Sequence, residues 1–370
     1  MDHVRSRGNI GITQSETMME PYQISFFGAT NSGKSTLVNA ISGQKVSLVS
    51  DRPGTTTDPV RKRIELPGIG PCVLVDTAGY GDGGELGSER ERLTRQVIDS
   101  TDVAVLLLSG NPEDAKWQEE LNAEDVPVVA VEDRNVETGA LIRRIAAVLP
   151  KAEERFLTGR LVHHGSVVVL VMPQDSEAPK GRIILPQVRV IRELLDRGCV
   201  PVCCTPDTLQ DAMKTGPDLV ITDSQVFGQV NSIIPPDCPL TSFSILLAAE
   251  KGDIDLFVEG ARTLDSLSDG SRVLIAEACS HVPDSEDIGR VKIPALLRKK
   301  ADVEVEVAAG EAFPEDLSGY SLIIHCGACV ASSKLLKARI RKALRQGVPI
   351  TNYGIAIAAL QGILGRVSLP

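Results

Sequence analysis

Aromatic residues are scarce, at 3% of 370 positions, with Trp117 the single tryptophan. Buried volume must therefore come mainly from Val, Ile, Leu and Ala, and a nucleic-acid surface built on stacked rings is disfavoured. Basic charge is also in deficit. Lys and Arg number 39 against 49 Asp and Glu, a formal charge of -10, and such a surface repels a phosphate backbone. No nucleic-acid partner is expected. No apolar run approaches the roughly 20 residues of a membrane helix. Met1–Glu20 lacks an apolar signal core. No membrane partner is expected, and the expected location is the cytoplasm. Disulfides are not expected there, so Cys72, Cys199, Cys203, Cys204, Cys238, Cys279, Cys326 and Cys329 are read as thiols. Clustered ones point to metal or redox chemistry and isolated ones to packing.

What is present reads as an α/β chain in three blocks, with expected bounds 1–155, 156–263 and 264–370. In the first, Tyr22–Phe27, Cys72–Val75, Val103–Leu108 and Val126–Val131 read as buried strands alternating with helices, the pattern of a parallel-type sheet covered on both faces. The other two blocks read as smaller α/β domains. The expected strands are Val167–Val171, Val200–Cys203 and Leu219–Ile221, then Arg272–Ala276, Val303–Val307 and Ser321–Ile324. Helices are expected over Gln187–Asp196 and Ser332–Gln346. The apolar run Val167–Met172 is also a candidate for pairing across a dimer, if its edge is open. No sequence repeat is visible.

Gly28-Ala29-Thr30-Asn31-Ser32-Gly33-Lys34-Ser35 fits GxxxxGK[ST], between an expected strand and an expected helix. Glycines let backbone N–H groups close on phosphate, and the helix N-terminus adds partial positive charge. Lys34 is expected to reach the β/γ-phosphates and Ser35 to ligate Mg2+, with Thr36 beside it. Asp76-Thr77-Ala78-Gly79 is a DxxG motif. Asp76 would hold Mg2+ through water, and the Gly79 N–H would sense the γ-phosphate. Pro53-Gly54-Thr55-Thr56-Thr57-Asp58 reads as a switch whose Thr56, or Thr55 next to it, ligates Mg2+ while the γ-phosphate is present. Lys34, Thr56, Asp76 and Gly79 form the expected catalytic set. Loss of the γ-phosphate would release both switches.

These residues resemble the bacterial GTPase group that includes MnmE and Era. The resemblance implies GTP/GDP as ligand and slow hydrolysis helped by K+, with Asn31 as its ligand. Tyr80 stands where Ras-like proteins carry a water-orienting Gln. One departure concerns the base. The NKxD motif that reads guanine is missing, and Glu132-Asp133-Arg134-Asn135 follows the strand instead. Asp133 is the one candidate substitute.

In the third block, Cys279-Ser280-His281 and His325-Cys326-Gly327-Ala328-Cys329 each follow an expected strand. In an open parallel sheet both would face one crevice. The CxxC is expected to begin a helix, whose dipole favours thiolates. Three thiolates suit an iron–sulfur cluster or zinc. For a 4Fe–4S cluster the fourth ligand is expected from His281, His325, a carboxylate or water, and for zinc from His325 or His281.

The chain resembles, over nearly its whole length, the HydF-like GTPases that mature FeFe (di-iron) hydrogenase. The resemblance rests on Gly181–Gln187, Pro217–Gln225, Pro239–Leu246, Ala276–His281, Asp287–Pro294, Ile324–Cys329 and Val348–Gly354, with Gly54–Pro59 and Gly84–Gly87. It implies a GTPase domain, a central dimerisation domain and a cluster domain, and thus a homodimer. It implies a 4Fe–4S cluster on Cys279, Cys326 and Cys329 with an exchangeable fourth site. It also implies a transient di-iron precursor cluster, received from radical-SAM maturases and delivered to apo FeFe-hydrogenase. This sequence departs from the family pattern at Val282, where a second His is usual, and at Ala331-Ser332-Ser333, which replace an Asn-Arg pair.

His163 and His164 read as exposed turn residues, and Cys203 and Cys204 as packing residues. Asp223 and Asn352 either line the crevice or cap turns. Arg290 and Lys292 either meet an anionic cluster or form a solvated pair. The competing functional reading is an RNA-associated regulatory GTPase, Era- or MnmE-like, with a structural zinc; the acidic charge opposes it.

Overall fold

In the first 150 residues, short Val/Ile/Leu/Phe runs bounded by glycine or polar turns become strands that are buried on both faces. The computed structural model describes residues 21–43, 59–81, 85–133, 135–150, 156–174, 183–278, 287–329 and 331–370. It divides into two compact units, Met1–Pro150 and Lys151–Pro370. The expected calls on Thr55, Thr56, Cys279 and His281 lie outside the described residues.

The first unit runs β1 (Tyr22–Gly28), α1 (Lys34–Ser42), β2 (Val60–Leu66), β3 (Gly70–Asp76), α2 (Glu85–Ile98), β4 (Val103–Leu107), α3 (Glu113–Ala123), β5 (Val128–Val131) and α4 (Thr138–Val148). The sheet order is β2-β3-β1-β4-β5, with β2 antiparallel and the other pairings parallel. Side chains alternate between two cores, as strand geometry requires. Ile24, Leu74 and Val105 pack with Leu37, Leu141 and Ile145 on one face. Phe27, Val75 and Leu106 pack with Tyr80, Trp117 and Leu121 on the other.

The second unit holds two sheets. The first is formed by β6 (Val167–Val171), β7 (Val200–Cys204), β8 (Leu219–Thr222) and β9 (Leu240–Ser242), with helices α5 (Leu185–Asp196), α6 (Leu209–Ala212), α7 (Phe227–Ile233), α8 (Phe243–Lys251) and α9 (Ile254–Ala261) in and after it. The second is formed by β10 (Arg272–Glu277), β11 (Glu304–Ala309), β12 (Leu322–His325) and β13 (Ile350–Asn352), with α10 (Ile293–Leu297), α11 (Ser333–Arg345) and α12 (Tyr353–Leu360). Their orders are β7-β6-β8-β9 and β11-β10-β12-β13, all parallel. Topologically they are the same sheet twice, although the sequence carries no repeat.

The expected division at 263/264 falls between the sheets, and the sheets pack as one unit because helices are shared. From α8, Leu246 and Leu247 enter the core of the first sheet, while Ile245 and Ala248 enter that of the second. Helix α9 sits against β13 so closely that a Cβ on Gly260 would lie 2.1 Å from the Ile350 carbonyl oxygen. One expectation is corrected here. Strand β6 is hydrogen-bonded on both sides, to β7 and β8, so it cannot pair across a dimer. The edges are β7, where Val200 is 52% exposed, and β9, where Leu240 bridges Val367. No helix among the described residues is long and apolar enough to cross a membrane.

Candidate functional site

The phosphate loop is built by conformations few residues adopt. Gly33, with φ 98°, caps α1, and Asn31 sits in the left-handed region at φ 61°. A Cβ on Gly28 would lie 2.7 Å from Ser32 Oγ. Lys34 is buried, and its Nζ donates to the carbonyls of Gly28 and Ala29 at 2.9 Å each. Ser35, Thr36 and Asn31 are exposed around the start of α1.

Asp76 ends β3 facing this loop. Burial pushes its carboxyl up, while a hydrogen bond with Ser35 and the Lys34 charge oppose that shift. Its Oδ1 is buried without a hydrogen-bond partner among the described residues, a free acceptor beside the Ser35 hydroxyl that suits a Mg2+-bound water. Gly79 is indispensable for spacing, because a Cβ there would lie 2.4 Å from Thr30 Cα. The Thr30 N–H donates to the Tyr80 carbonyl at 3.0 Å. The two motifs thus meet backbone to backbone.

Tyr80 takes no part in water orientation. Its ring is 1% exposed and stacks on Trp117 at 5.2 Å, and its hydroxyl donates to Asp114 Oδ1 at 2.6 Å. Burial and then Asp114 push that phenol far up. Asp133 caps a local turn, accepting from the Asn135 N–H at 2.8 Å.

The cysteine site lies at the C-terminal edge of the second sheet. Ala276, His325 and Asn352 share one register row, so the loops after β10, β12 and β13 leave from one place. Cys326 Sγ accepts N–H bonds from Ala278 at 3.1 Å and Ala328 at 3.4 Å. Cys279 is the next residue after Ala278, so the chain into the third cysteine passes beside this sulfur. The hydroxyl of Tyr353 is buried without a hydrogen-bond partner among the described residues. Burial, then Cys326 and Glu277, raise it well above an ordinary phenol. Directed N–H donors on a sulfur and an orphaned hydroxyl beside it suit an anionic thiolate-bound group. Among the described residues no three His, Cys, Asp or Glu side chains form a metal site.

Several expectations are revised. The CxxC does not begin a helix: it lies in the loop after β12, and α11 is capped by Ser332, whose hydroxyl accepts from the Leu335 N–H. The Cys326 sulfur is therefore served by loop N–H groups rather than by the end of α11. His325 as a ligand is also corrected. It is fully buried, its Nδ1 lies 2.8 Å from the Cys326 carbonyl and its Nε2 lies 3.0 Å from Arg339 Nη1. Both nitrogens are occupied, and burial, then Arg339, hold its pKa at about 3. Arg290 is paired with Glu277 at 2.9 Å, and Lys292 donates to Gln225 at 2.6 Å. Neither is a solvated cation. Asp223 and Asn352 cap turns, accepting from Gln225 N at 3.1 Å and Gly354 N at 2.8 Å. Cys203 is exposed on β7 rather than packed, while burial raises the neighbouring Cys204 to about 11. His163 and His164 are exposed turn residues, as expected.

Two buried cations escape sequence reading. Arg339 is 2% exposed and also donates to the carbonyls of Glu277 and Gly310. Lys251 is fully buried. Each occurs in a helix where a basic residue reads as an ordinary surface charge.

Comparison with known proteins places this architecture. A family model described as the hydrogen maturase F dimerization domain matches residues 157–252, and one described as its tetramerization domain matches residues 255–370. The chain belongs to the hydrogen maturase F family. Residues 23–134 match a 50S ribosome-binding GTPase model, so this hydrogen maturase F chain carries a P-loop GTPase domain at its N-terminal side. Among curated proteins, the tRNA modification GTPase MnmE of Methylobacterium radiotolerans is 43% identical over 96 residues, 26% of this chain and 22% of that protein. MnmE of Acidiphilium cryptum is 52% identical over 65 residues, 18% and 15% respectively. The chain thus spans less than a third of the length of these relatives. Among solved structures, Era of Aquifex aeolicus is 15% identical, with 85% of this chain and 99% of that chain covered and a TM-score of 0.27. A probable GTP-binding protein engB is 24% identical, with 35% and 82% covered and a TM-score of 0.25. At such scores nothing further rests on them.

Proposed function

We propose that this chain is a GTP-hydrolysing scaffold and carrier in FeFe-hydrogenase maturation. Residues 1–155 act as the nucleotide switch, 156–263 as the assembly region and 264–370 as the cluster region. The observation that carries the reading is the Cys326 sulfur held by two N–H donors at the edge of β12, one residue from the chain's entry into Cys279, in a hydrogen maturase F chain. Cys279, Cys326 and Cys329 would hold a 4Fe–4S cluster, with His281 the remaining histidine candidate for the fourth ligand. The cluster supplies an iron with an exchangeable position, to which a di-iron precursor can be tethered. The precursor comes from radical-SAM maturases and passes to the apo-hydrogenase.

In the first unit, Lys34 binds the β/γ-phosphates, Ser35 and Thr56 hold Mg2+, and Gly79 reports the γ-phosphate through its N–H. Because Tyr80 is locked in the core, charge at Asn31 with K+ takes the place of a water-orienting side chain, and hydrolysis is slow. Selection of guanine rests on no NKxD motif, so displacement of a fluorescent nucleotide by GTP against ATP measures it directly. The open edge β7 supports a homodimer, which light scattering tests.

The deciding experiment is anaerobic iron and sulfide analysis with EPR of the dithionite-reduced protein, beside Cys326→Ala. A 4Fe–4S signal that disappears in the variant supports the reading. Stoichiometric zinc without iron after reconstitution sinks it and favours a regulatory GTPase with a structural metal.

A further inference from the structure

Helix α8 carries the cysteine loop on one face. Ser244, Leu247 and Lys251 recur at helical spacing, and all three meet that loop. A Cβ on Gly327 would lie 3.8 Å from Ser244 Oγ and 3.9 Å from Leu247 Cδ1. Cys329 packs on the core to which Leu246 and Leu247 belong. Lys251, fully buried, donates from Nζ to the Ala328 carbonyl at 2.7 Å and to the Ala331 carbonyl at 2.8 Å.

These two bonds grip the loop on either side of Cys329. Ala328 is held at φ 49°, in the left-handed region, which is unfavourable for an alanine. That conformation turns its N–H to Cys326 Sγ while its carbonyl faces Lys251. One residue therefore links the lysine to the sulfur. A buried ammonium is expensive to desolvate, and a neutral donor would staple two carbonyls at less cost. The charge is useful where an anion sits on the other side of the loop. A cluster with three thiolate ligands is such an anion, and its reduction potential depends on nearby charge and on N–H bonds to sulfur.

We propose that Lys251 is a positioning residue for the cluster: it sets the Cys326–Cys329 loop, and its buried charge raises the potential of the bound cluster. The proposal rests on the 4Fe–4S reading above. It also makes α8, which lies in the region matched by the dimerization domain, the support for ligands that lie in the region matched by the tetramerization domain.

The test uses the full-length, anaerobically reconstituted protein and compares Lys251→Met, Lys251→Gln and Lys251→Arg with wild type. The readouts are iron content, far-UV circular dichroism of the apoprotein and an EPR-monitored redox titration. The expected result is a more negative midpoint in the Met and Gln variants and a wild-type midpoint in Lys251→Arg. Loaded Met or Gln variants with an unshifted midpoint overturn the proposal, even if their melting temperature falls, and leave the cluster reading intact. A wild-type protein without iron overturns both. If the Met variant does not fold, Lys251→Gln, which keeps a donor and loses the charge, decides by the same midpoint. A shifted midpoint in Lys251→Arg also overturns the proposal.

Discussion

In the first sheet of the second unit, β8 ends at Thr222, and Asp223 caps the following turn through its carboxylate. In the second sheet, β12 ends at His325, and the next residue is Cys326, whose sulfur gathers two N–H donors. Strand order, direction and the position of each loop are the same in both. In both, a three-residue last strand ends in the residue that caps the next helix, Ser242 for α8 and Asn352 for α12. The shared topology supplies a crevice at the strand ends, but the side chains in the third-strand loop decide what it can hold. A carboxylate turned back onto its own turn serves folding. A sulfur with directed donors and a buried cation under its loop has no such local role, and the proposed cluster would give it one.

The largest test of that contrast is a matched pair of substitutions. Cys326→Ser is expected to lower bound iron more than tenfold after anaerobic reconstitution, whereas Asp223→Ser leaves it unchanged. Equal loss in both would end the contrast.

The next test concerns buried charge. Arg339→Met strips hydrogen bonds from His325 and from the carbonyls of Glu277 and Gly310, at a cost of about 3 kcal/mol. Between helices α5 and α8 beside the first sheet, Arg189 pairs with Glu250, each 18% exposed, and Arg189→Met is expected to cost about 1 kcal/mol or less. Trp117 lies in the first unit, so its fluorescence in urea should not move in either variant, while the far-UV transition of the second unit shifts to lower urea in that order.

Gly260→Ala weighs two opposing effects. Alanine improves helix propensity by about 1 kcal/mol, but its Cβ would lie 2.1 Å from the Ile350 carbonyl oxygen, and overpacking against backbone costs about 1–3 kcal/mol. Net destabilisation in the same urea experiment is expected; a stabilised variant would show that α9 is not seated on β13.

The smallest effect separates the two capping residues. Ser242→Ala should cost about 1 kcal/mol. Asn352→Ala should cost somewhat more, because Asn352 Oδ1 also accepts from Ser244 Oγ at 3.1 Å. Equal melting temperatures would remove that distinction.

Much of the fold was legible in the sequence. Gln187–Asp196 and Ser332–Gln346 were expected as helices, and helices form over Leu185–Asp196 and Ser333–Arg345. The ten expected strands form within two residues of their expected bounds, while β2, β9 and β13 were not anticipated. The P-loop and DxxG were legible because glycine spacing dictates close backbone approach. The shared edge after β10 and β12 was legible, since strand ends of one parallel sheet leave from one side, and Cys326 stands there. Its detail was not. His325 was a plausible ligand until Arg339, 14 residues on, occupied its Nε2. Val167–Met172 was a plausible edge until β7 and β8 paired on its two sides.

The sequence by itself determined what most of the longer segments become, because hydrophobic period, glycine spacing and capping residues act within a turn or a strand. It also determined which chemistry is available: a phosphate loop, the DxxG carboxylate Asp76 and three cysteines. Only the tertiary structure decided which of those groups remain available. Tyr80 is locked onto Asp114, 34 residues away, and Lys251 reaches Ala328 across 77 residues. Such partners meet only when sheets and shared helices close around a common core, and no local pattern records which buried polar groups will then face each other.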